Sequence, residues 1–315
     1  MKEWIYMPVK WLLHALAYLP LGVLYVLADI IYFLLYYVVR YRRKVVFNNI
    51  RESFPDMTDD EVRSTAKQFY KNFADYFVET IKLHHISDAE MMRRMEFVDV
   101  DIIDRLWDEG RSIVCYFSHC GNWEWGTSIT LHTRHRPPVD CEFAQVYRPL
   151  RNKFFDRYFL DLRSRFGSLS FPKSSVLRDL IRLRKDGKVS ITGFMSDQKP
   201  SHGDVTHVVE FLNHPTAVIT GTEQLARRLG MAAVYWDMEK ISRGHYRVTT
   251  RLMTEDASAT EPYQLTDQYA RLLEMTIRRN PAIWLWSHKR WKIPVTFADD
   301  NSYDKISPAR RGNNS

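Results

Sequence analysis

His119 and Glu124 are the side chains best placed for proton chemistry. They sit in the stretch Ser-Ile-Val-Cys-Tyr-Phe-Ser-His-Cys-Gly-Asn-Trp-Glu-Trp-Gly over 112–126. The apolar, β-favouring first half reads as a buried strand, Gly121-Asn122 as a break, and the rest as the first turn of a helix. On a single helix, a five-residue separation turns the two side chains about 140° apart, so they would not face each other. They meet only if His119 is off the helix and Glu124 is in its first turn, a corner that Gly121 and Asn122 supply. Glu124 would then hold one ring nitrogen of His119 and leave the other as a base, the orienting role of a triad carboxylate. The same residues also suit a buried, hydrogen-bonded His at a strand end.

Other candidates follow other strands. Tyr147-Arg148-Pro149 ends the apolar run 142–147, and an Arg there suits phosphate or carboxylate. Asp197-Gln198 ends the run 188–195, and His288-Lys-Arg290 follows the apolar block 283–286. Open α/β sheets bind ligands outside the carboxyl ends of their strands. Residues 148–188 hold twelve basic and four acidic side chains, an excess of eight that more than accounts for the net charge of +7. Such a concentration favours an anionic ligand or membrane surface.

Several chemistries lack their signals. His202, His207 and His214 show no zinc-like spacing and His-Glu-x-x-His is absent, so no metal is expected. No Gly-x-Gly-x-x-Gly, phosphate-binding loop or Gly-x-Ser-x-Gly occurs, so no nucleotide cofactor or serine hydrolase is expected. Cys120 adjoins His119, but neighbours on an extended chain point oppositely, which disfavours a Cys-His nucleophile. Three cysteines among 315 residues make no disulfide framework and fit a reducing compartment.

The elements that must carry these groups are legible in outline. Residues 11–39 are apolar apart from His14 and Asp29, longer than the roughly 20 residues that cross a bilayer. Arg40, Arg42, Arg43 and Lys44 follow, which places the bulk of the chain on the cytoplasmic side. Pro20-Leu-Gly22 leaves a kinked or re-entrant anchor open. Residues 45–55 read as a link. Thr58-Asp-Asp-Glu61 is a capping box, and Val62, Ala66, Phe69, Tyr70, Phe73, Phe77 and Ile81 continue at helical spacing. Beyond residue 95, strands alternate with helices, which argues α/β with a mixed central sheet flanked by helices. The expected division is an anchor with a basic flank (1–44), one catalytic-size domain (45–298) and a polar, disordered tail (299–315).

Together these blocks resemble the bacterial lipid A late acyltransferases, within the wider glycerolipid acyltransferase superfamily. The resemblance runs from the anchor through Asn49-Ile-x-x-Ser-Phe54-Pro55, His119-x-x-x-x-Glu124, Tyr147-Arg148-Pro149, Asp197-Gln198, Thr220-Gly-Thr222 and His288-Lys-Arg290-Trp-Lys292. His-Cys-Gly-Asn-Trp-Glu also resembles the phosphatidylinositol mannoside acyltransferases. The resemblance implies His119 and Glu124 as the catalytic pair, with Tyr147, Arg148, Asn122, Asp197, Gln198, His288 and Arg290 as substrate-binding candidates. It implies an acyl thioester donor carried by acyl carrier protein, an anionic lipid acceptor and an inner-membrane location. It gives no indication of a cofactor. Backbone N–H groups at the start of the Trp123 helix are candidates for the oxyanion. A non-catalytic anchored lipid binder and an acyltransferase for another glycolipid remain alternatives. Nucleic-acid binding would explain the charge but neither the anchor nor the corner, so no such partner is expected.

Overall fold

A computed structural model of the chain describes residues 6–137, 139, 141–201 and 205–297. The polar tail expected at 299–315 lies outside them. Its centre is a seven-stranded sheet in the order β1-β9-β8-β2-β5-β3-β4. The strands are β1 (Met95–Val98), β2 (Ile113–Phe117), β3 (Cys141–Tyr147), β4 (Leu169–Pro172), β5 (Val189–Met195), β8 (Ala232–Ser242) and β9 (His245–Thr254). All pair in parallel except β8 with β9, which form a hairpin. The carboxyl ends of β2, β3 and β5 therefore share one edge. A separate hairpin joins β6 (Val208–Phe211) to β7 (His214–Ala217).

The sheet is covered on both faces, as a largely parallel sheet must be, and β2 is buried throughout. On one face Tyr116 and Tyr235 pack on Tyr269 of α10 (Gln264–Arg279). On the other, Phe117 meets Trp236, while Phe143 meets Trp107 of α6 (Asp101–Asp108). Three more helices complete the crossovers: α7 (Lys153–Arg163), α8 (Val176–Lys185) and α9 (Gly221–Leu229). The strands β4 and β7 were not visible as periodic runs, being only four residues each.

One expectation is corrected at the amino terminus. Residues 45–55 are no link: α3 (Arg43–Ser53) occupies them and buries Val46 and Ile50. The apolar segment takes the kinked form that Pro20-Leu-Gly22 left open. It breaks between α1 (Met7–Tyr18) and α2 (Leu21–Phe33), which runs on through a π-helical turn, Leu34–Val38. Pro20 supplies no N–H and starts the second helix. Lys82, at the end of α4 (Asp59–Lys82), donates to the freed carbonyls of Ala17 at 3.1 Å and Leu19 at 3.0 Å. The predicted capping box of α4 is formed, with Thr58 N–H donating to Glu61 at 2.7 Å.

Leu21–Val38 has a mean hydropathy of 2.0 over 18 residues and is long and apolar enough to cross a bilayer. Yet it lies antiparallel along α4: Tyr25 meets Glu79, Tyr32 lies under Lys71 and Tyr36 packs on Tyr70. Leu21, Leu24, Ala28 and Tyr36 share the core of the sheet and helices. Val23, Val26, Ile30 and Phe33 are exposed on the outer side. The short α5 (Asp88–Arg94) leads from α4 into β1.

Candidate active site

The corner forms as its sequence implies. After Phe117 the chain turns through Gly121, whose φ of +57° favours glycine. A side chain there would also press on Tyr246, its Cβ standing 3.0 Å from the ring. Gly121 N–H donates to Ile283 O at 2.9 Å, and Cys120 bridges to Trp284. Asn122 Oδ1 then accepts from Trp125 N–H at 3.3 Å and caps a 3₁₀ helix over Trp123–Leu131. His119 is off the helix and Glu124 is in its first turn.

The pairing across the corner differs from the expected one. His119 Nδ1 lies 2.7 Å from Asp197 Oδ1, and its backbone N–H donates to Asp197 Oδ2 at 3.0 Å. Trp284 Nε1–H donates to the same Oδ2 at 2.9 Å. Glu124 instead binds Arg163 of α7 with both oxygens, at 2.8 and 2.7 Å. The reason is register. Phe117 pairs with Met195 on neighbouring parallel strands, so two residues further on His119 and Asp197 lie side by side. The 3₁₀ turn carries Glu124 away toward α7.

Asp197 is 3% exposed. Burial raises its pKa, but the adjacent His119 and the hydrogen bonds from His119 and Trp284 outweigh that and hold the carboxyl at about 2. An ionised Asp197 accepts a proton-bearing Nδ1, which leaves Nε2 with its lone pair. Nε2 lies 3.3 Å from the Gln198 amide nitrogen. Cys120 is buried, and burial pushes its thiol pKa up, so it offers no thiolate.

His119 borders a cavity of about 490 Å³. Its polar lining includes His119, Glu124, Tyr147, Arg148, Asp156, Arg163 and Gln198. The buried side chains of Phe117, Ile129, Phe143, Ile191 and Trp236 give it an apolar face. Gly126 and Gly193 keep the space open, and a Cβ on Gly126 would stand 3.1 Å from Phe117. Tyr76 of α4 stacks on Trp123 at 4.0 Å, and Trp123 lies edge-on to His119 at 5.1 Å. Burial and then the Glu124 charge push the Tyr76 hydroxyl pKa up, so it stays protonated.

Tyr147, Arg148 and Gln198 thus share the cavity with His119, and Asp197 stands directly behind it. Three candidates do not reach the lining. Asn122 is fully buried and spends its side chain on the cap and on Glu79. His288 Nε2 faces Lys199 N–H at 3.3 Å, and burial holds its pKa down at about 4. Arg290 is 4% exposed and donates to Ala217 O at 2.8 Å, and burial lowers its pKa to about 10. They build the wall behind the site. Arg163 and Trp284 are additions. The basic composition of 148–188 contained Arg163 but did not single it out, and an indole N–H seeking a buried partner is silent in sequence.

The basic stretch is also divided in space. Arg148 and Arg163 border the cavity, whereas Arg184 and Lys188 line a separate hollow beside Ser112 and Val189, where β2 and β5 begin. It is therefore no single surface. Among the described residues no group of three or more His, Cys, Asp or Glu is placed to hold a metal ion.

Residues 1–293 match the family described as bacterial lipid A biosynthesis acyltransferase. The chain is 24% identical over 294 residues to the lipid A biosynthesis lauroyltransferase of Escherichia coli, covering 92% of this chain and 90% of that one. It is 21% identical over 180 residues to the lipid A biosynthesis acyltransferase of Haemophilus influenzae, covering 57% of this chain and only 54% of that protein. It is 24% identical over 246 residues to the phosphatidylinositol mannoside acyltransferase of Mycolicibacterium smegmatis, covering 75% of this chain and 74% of that one. With a family match over nearly its whole length, the chain belongs to the bacterial lipid A biosynthesis acyltransferase family.

Proposed function

We propose that the protein moves a fatty acyl group from an acyl thioester to a hydroxyl of a lipid A precursor, with His119 as general base. The observation that carries this reading is the His119–Asp197 pair, 2.7 Å apart, at the edge of a cavity that sets two arginines beside an apolar face. Nε2 takes the proton of the acceptor hydroxyl as its oxygen attacks the thioester carbonyl. The tetrahedral intermediate collapses, the C–S bond breaks, and the imidazolium returns the proton to the leaving thiolate. General-base assistance of this kind is worth roughly 10²–10⁴ in rate.

Glu124 then acts on Arg163 rather than on His119. It fixes the guanidinium at the cavity wall, where Arg163 and Arg148 suit an anionic acceptor. The apolar lining suits the acyl chain. The Trp125 N–H is taken by Asn122, so the oxyanion candidates are the N–H groups of Trp123 and Glu124 and the Gln198 amide. The exposed cations Arg151, Lys153 and Arg157 flank the cavity, and an acidic acyl carrier protein would be steered there by charge.

The shape of α1 and α2 supports an inner-membrane location. A helix laid along α4 with one apolar face outward fits a hairpin lying in one leaflet of the inner membrane, catalytic domain on the cytoplasmic side. Tyr6, just before α1, stacks on Phe154 of α7 at 5.1 Å and accepts from Asn152 Nδ2 at 3.0 Å, which brings the hairpin beside the cavity. A lipid acceptor would then enter from the bilayer. The similarity to a phosphatidylinositol mannoside acyltransferase favours one second reading, the same chemistry on another glycolipid.

Mass spectrometry of lipid A from cells with and without the gene tests the proposal. Loss of one secondary acyl chain is the expected result. Unchanged lipid A, or full transfer by purified His119→Ala protein, would overturn it.

A further inference from the structure

Glu79 is a fully buried carboxyl group that the reaction above does not use. Three donors from three elements converge on it. Oε2 accepts from Asn122 Nδ2 and from the Tyr246 hydroxyl of β9, each at 2.9 Å. Oε1 accepts from the Tyr25 hydroxyl of α2 at 3.1 Å. The Glu79 carbonyl accepts from Trp125 Nε1–H at 3.1 Å. Such a group is tolerated in a core only with partners of this kind.

The Asn122 bond matters most. A side-chain amide has one donor end and one acceptor end. Asn122 Oδ1 caps Trp125 N–H only while Nδ2 points the other way, toward Glu79. Glu79 therefore sets the direction of the cap. The capped turn carries Trp123, which packs against the His119 ring, and Glu124, which holds Arg163. Tyr76, one turn earlier on α4, supports Trp123 from behind.

The Tyr25 bond ties the same carboxyl group to the apolar hairpin. Tyr25 is enclosed: the Arg243 guanidinium lies 4.5 Å from its ring centre, and any side chain at Gly244 would collide with its hydroxyl. Arg243 also pairs with Asp29 one turn along α2, at 2.7 Å. Tyr25 reaches Glu79 only when α2 is seated on α4 and against the β8–β9 turn.

We infer that Glu79 is a positioning residue that couples the seating of α2 to the geometry of the His119 corner. Seating α2 on α4 would order the site through Tyr25, Glu79 and Asn122. The kinetic part of this inference rests on the acyltransferase reading; the structural part does not.

The test is hydrogen exchange by mass spectrometry on the full-length protein in lipid–detergent micelles, combined with steady-state kinetics. Glu79→Leu should speed exchange across 119–128 and lower kcat about a hundredfold, as misplacement of a catalytic group does, with KM within about threefold of wild type. Glu79→Gln should recover most of both, since one carbonyl oxygen can still accept from Asn122 and Tyr246 while the Tyr25 hydroxyl reverses to accept. Tyr25→Phe removes one hydroxyl from α2 and should speed exchange at 119–128 and lower kcat about threefold to tenfold, the equivalent of one buried hydrogen bond. This mild variant carries the test if Glu79→Leu does not fold. Wild-type exchange at 119–128 in Tyr25→Phe, or faster exchange with unchanged kcat, would overturn the coupling. A wild-type protein without acyl transfer would instead remove the proposed function and leave the exchange result standing.

Discussion

Replacing Asp197 by Asn should stop the reaction through a proton, not through a lost shape. Asp197 accepts three hydrogen bonds: two on Oδ2, from His119 N–H and Trp284 Nε1–H, and one on Oδ1, from His119 Nδ1–H. An Asn has one acceptor oxygen. Two donors claim the Oδ2 position, so the oxygen goes there and the NH₂ faces His119 Nδ1. Nδ1 must then accept, which moves the imidazole proton to Nε2 and blocks the base. The whole general-base contribution is at stake, so kcat should fall about 10²–10⁴-fold. KM should change little, because Asp197 lies behind His119 and outside the cavity lining. The assay is steady-state transfer from a purified acyl thioester to a lipid acceptor, with the melting temperature measured alongside. A folded Asp197→Asn protein keeping more than a tenth of wild-type kcat would refute both the tautomer argument and the role given to the pair.

Other outcomes follow from the same geometry. Glu124→Ala strips the partner from the mostly buried Arg163 (side-chain exposures of 3% and 19%) and should cost about 3–5 kcal/mol of stability; in a double-mutant cycle with Arg163→Met, a coupling near zero would reject the pair. Gly126→Val puts a Cβ 3.1 Å from Phe117 and two methyl groups beyond it, so the acyl preference of the variant should move to shorter chains, as read by competing donors of different length. His84 and His288 are both held at about 4, chiefly by burial, from an ordinary value of 6.5. Between those values the unfolded chain binds more protons, so stability should be fully present above pH 6.5 and decline as pH falls toward 4. Denaturant midpoints flat across that window would contradict this.

Much of the architecture was legible because local chemistry specifies it. The capping box at Thr58, the helical stripe behind it and the Gly121-Asn122 corner each depend on neighbours within a few positions. The break at Pro20 was readable as a possibility, since a missing N–H acts on its own helix. The packing of α2 along α4 was not, because an apolar run of this length satisfies a bilayer and a protein surface alike. Short strands such as β4 and β7 carry too few residues for a period.

The sequence by itself determined that His119 leaves its strand before a helix starts and that a glycine makes the corner. It also limited which acids were available. Only the tertiary structure decided which acid His119 meets. Glu124 is five positions away and Asp197 is 78, yet the register of two parallel strands puts the distant one beside the imidazole and the turn removes the near one. Register is a property of paired strands, set by the packing of both faces of the sheet, and neither strand carries it alone. That placement changes Glu124 from the partner of the base into the partner of Arg163.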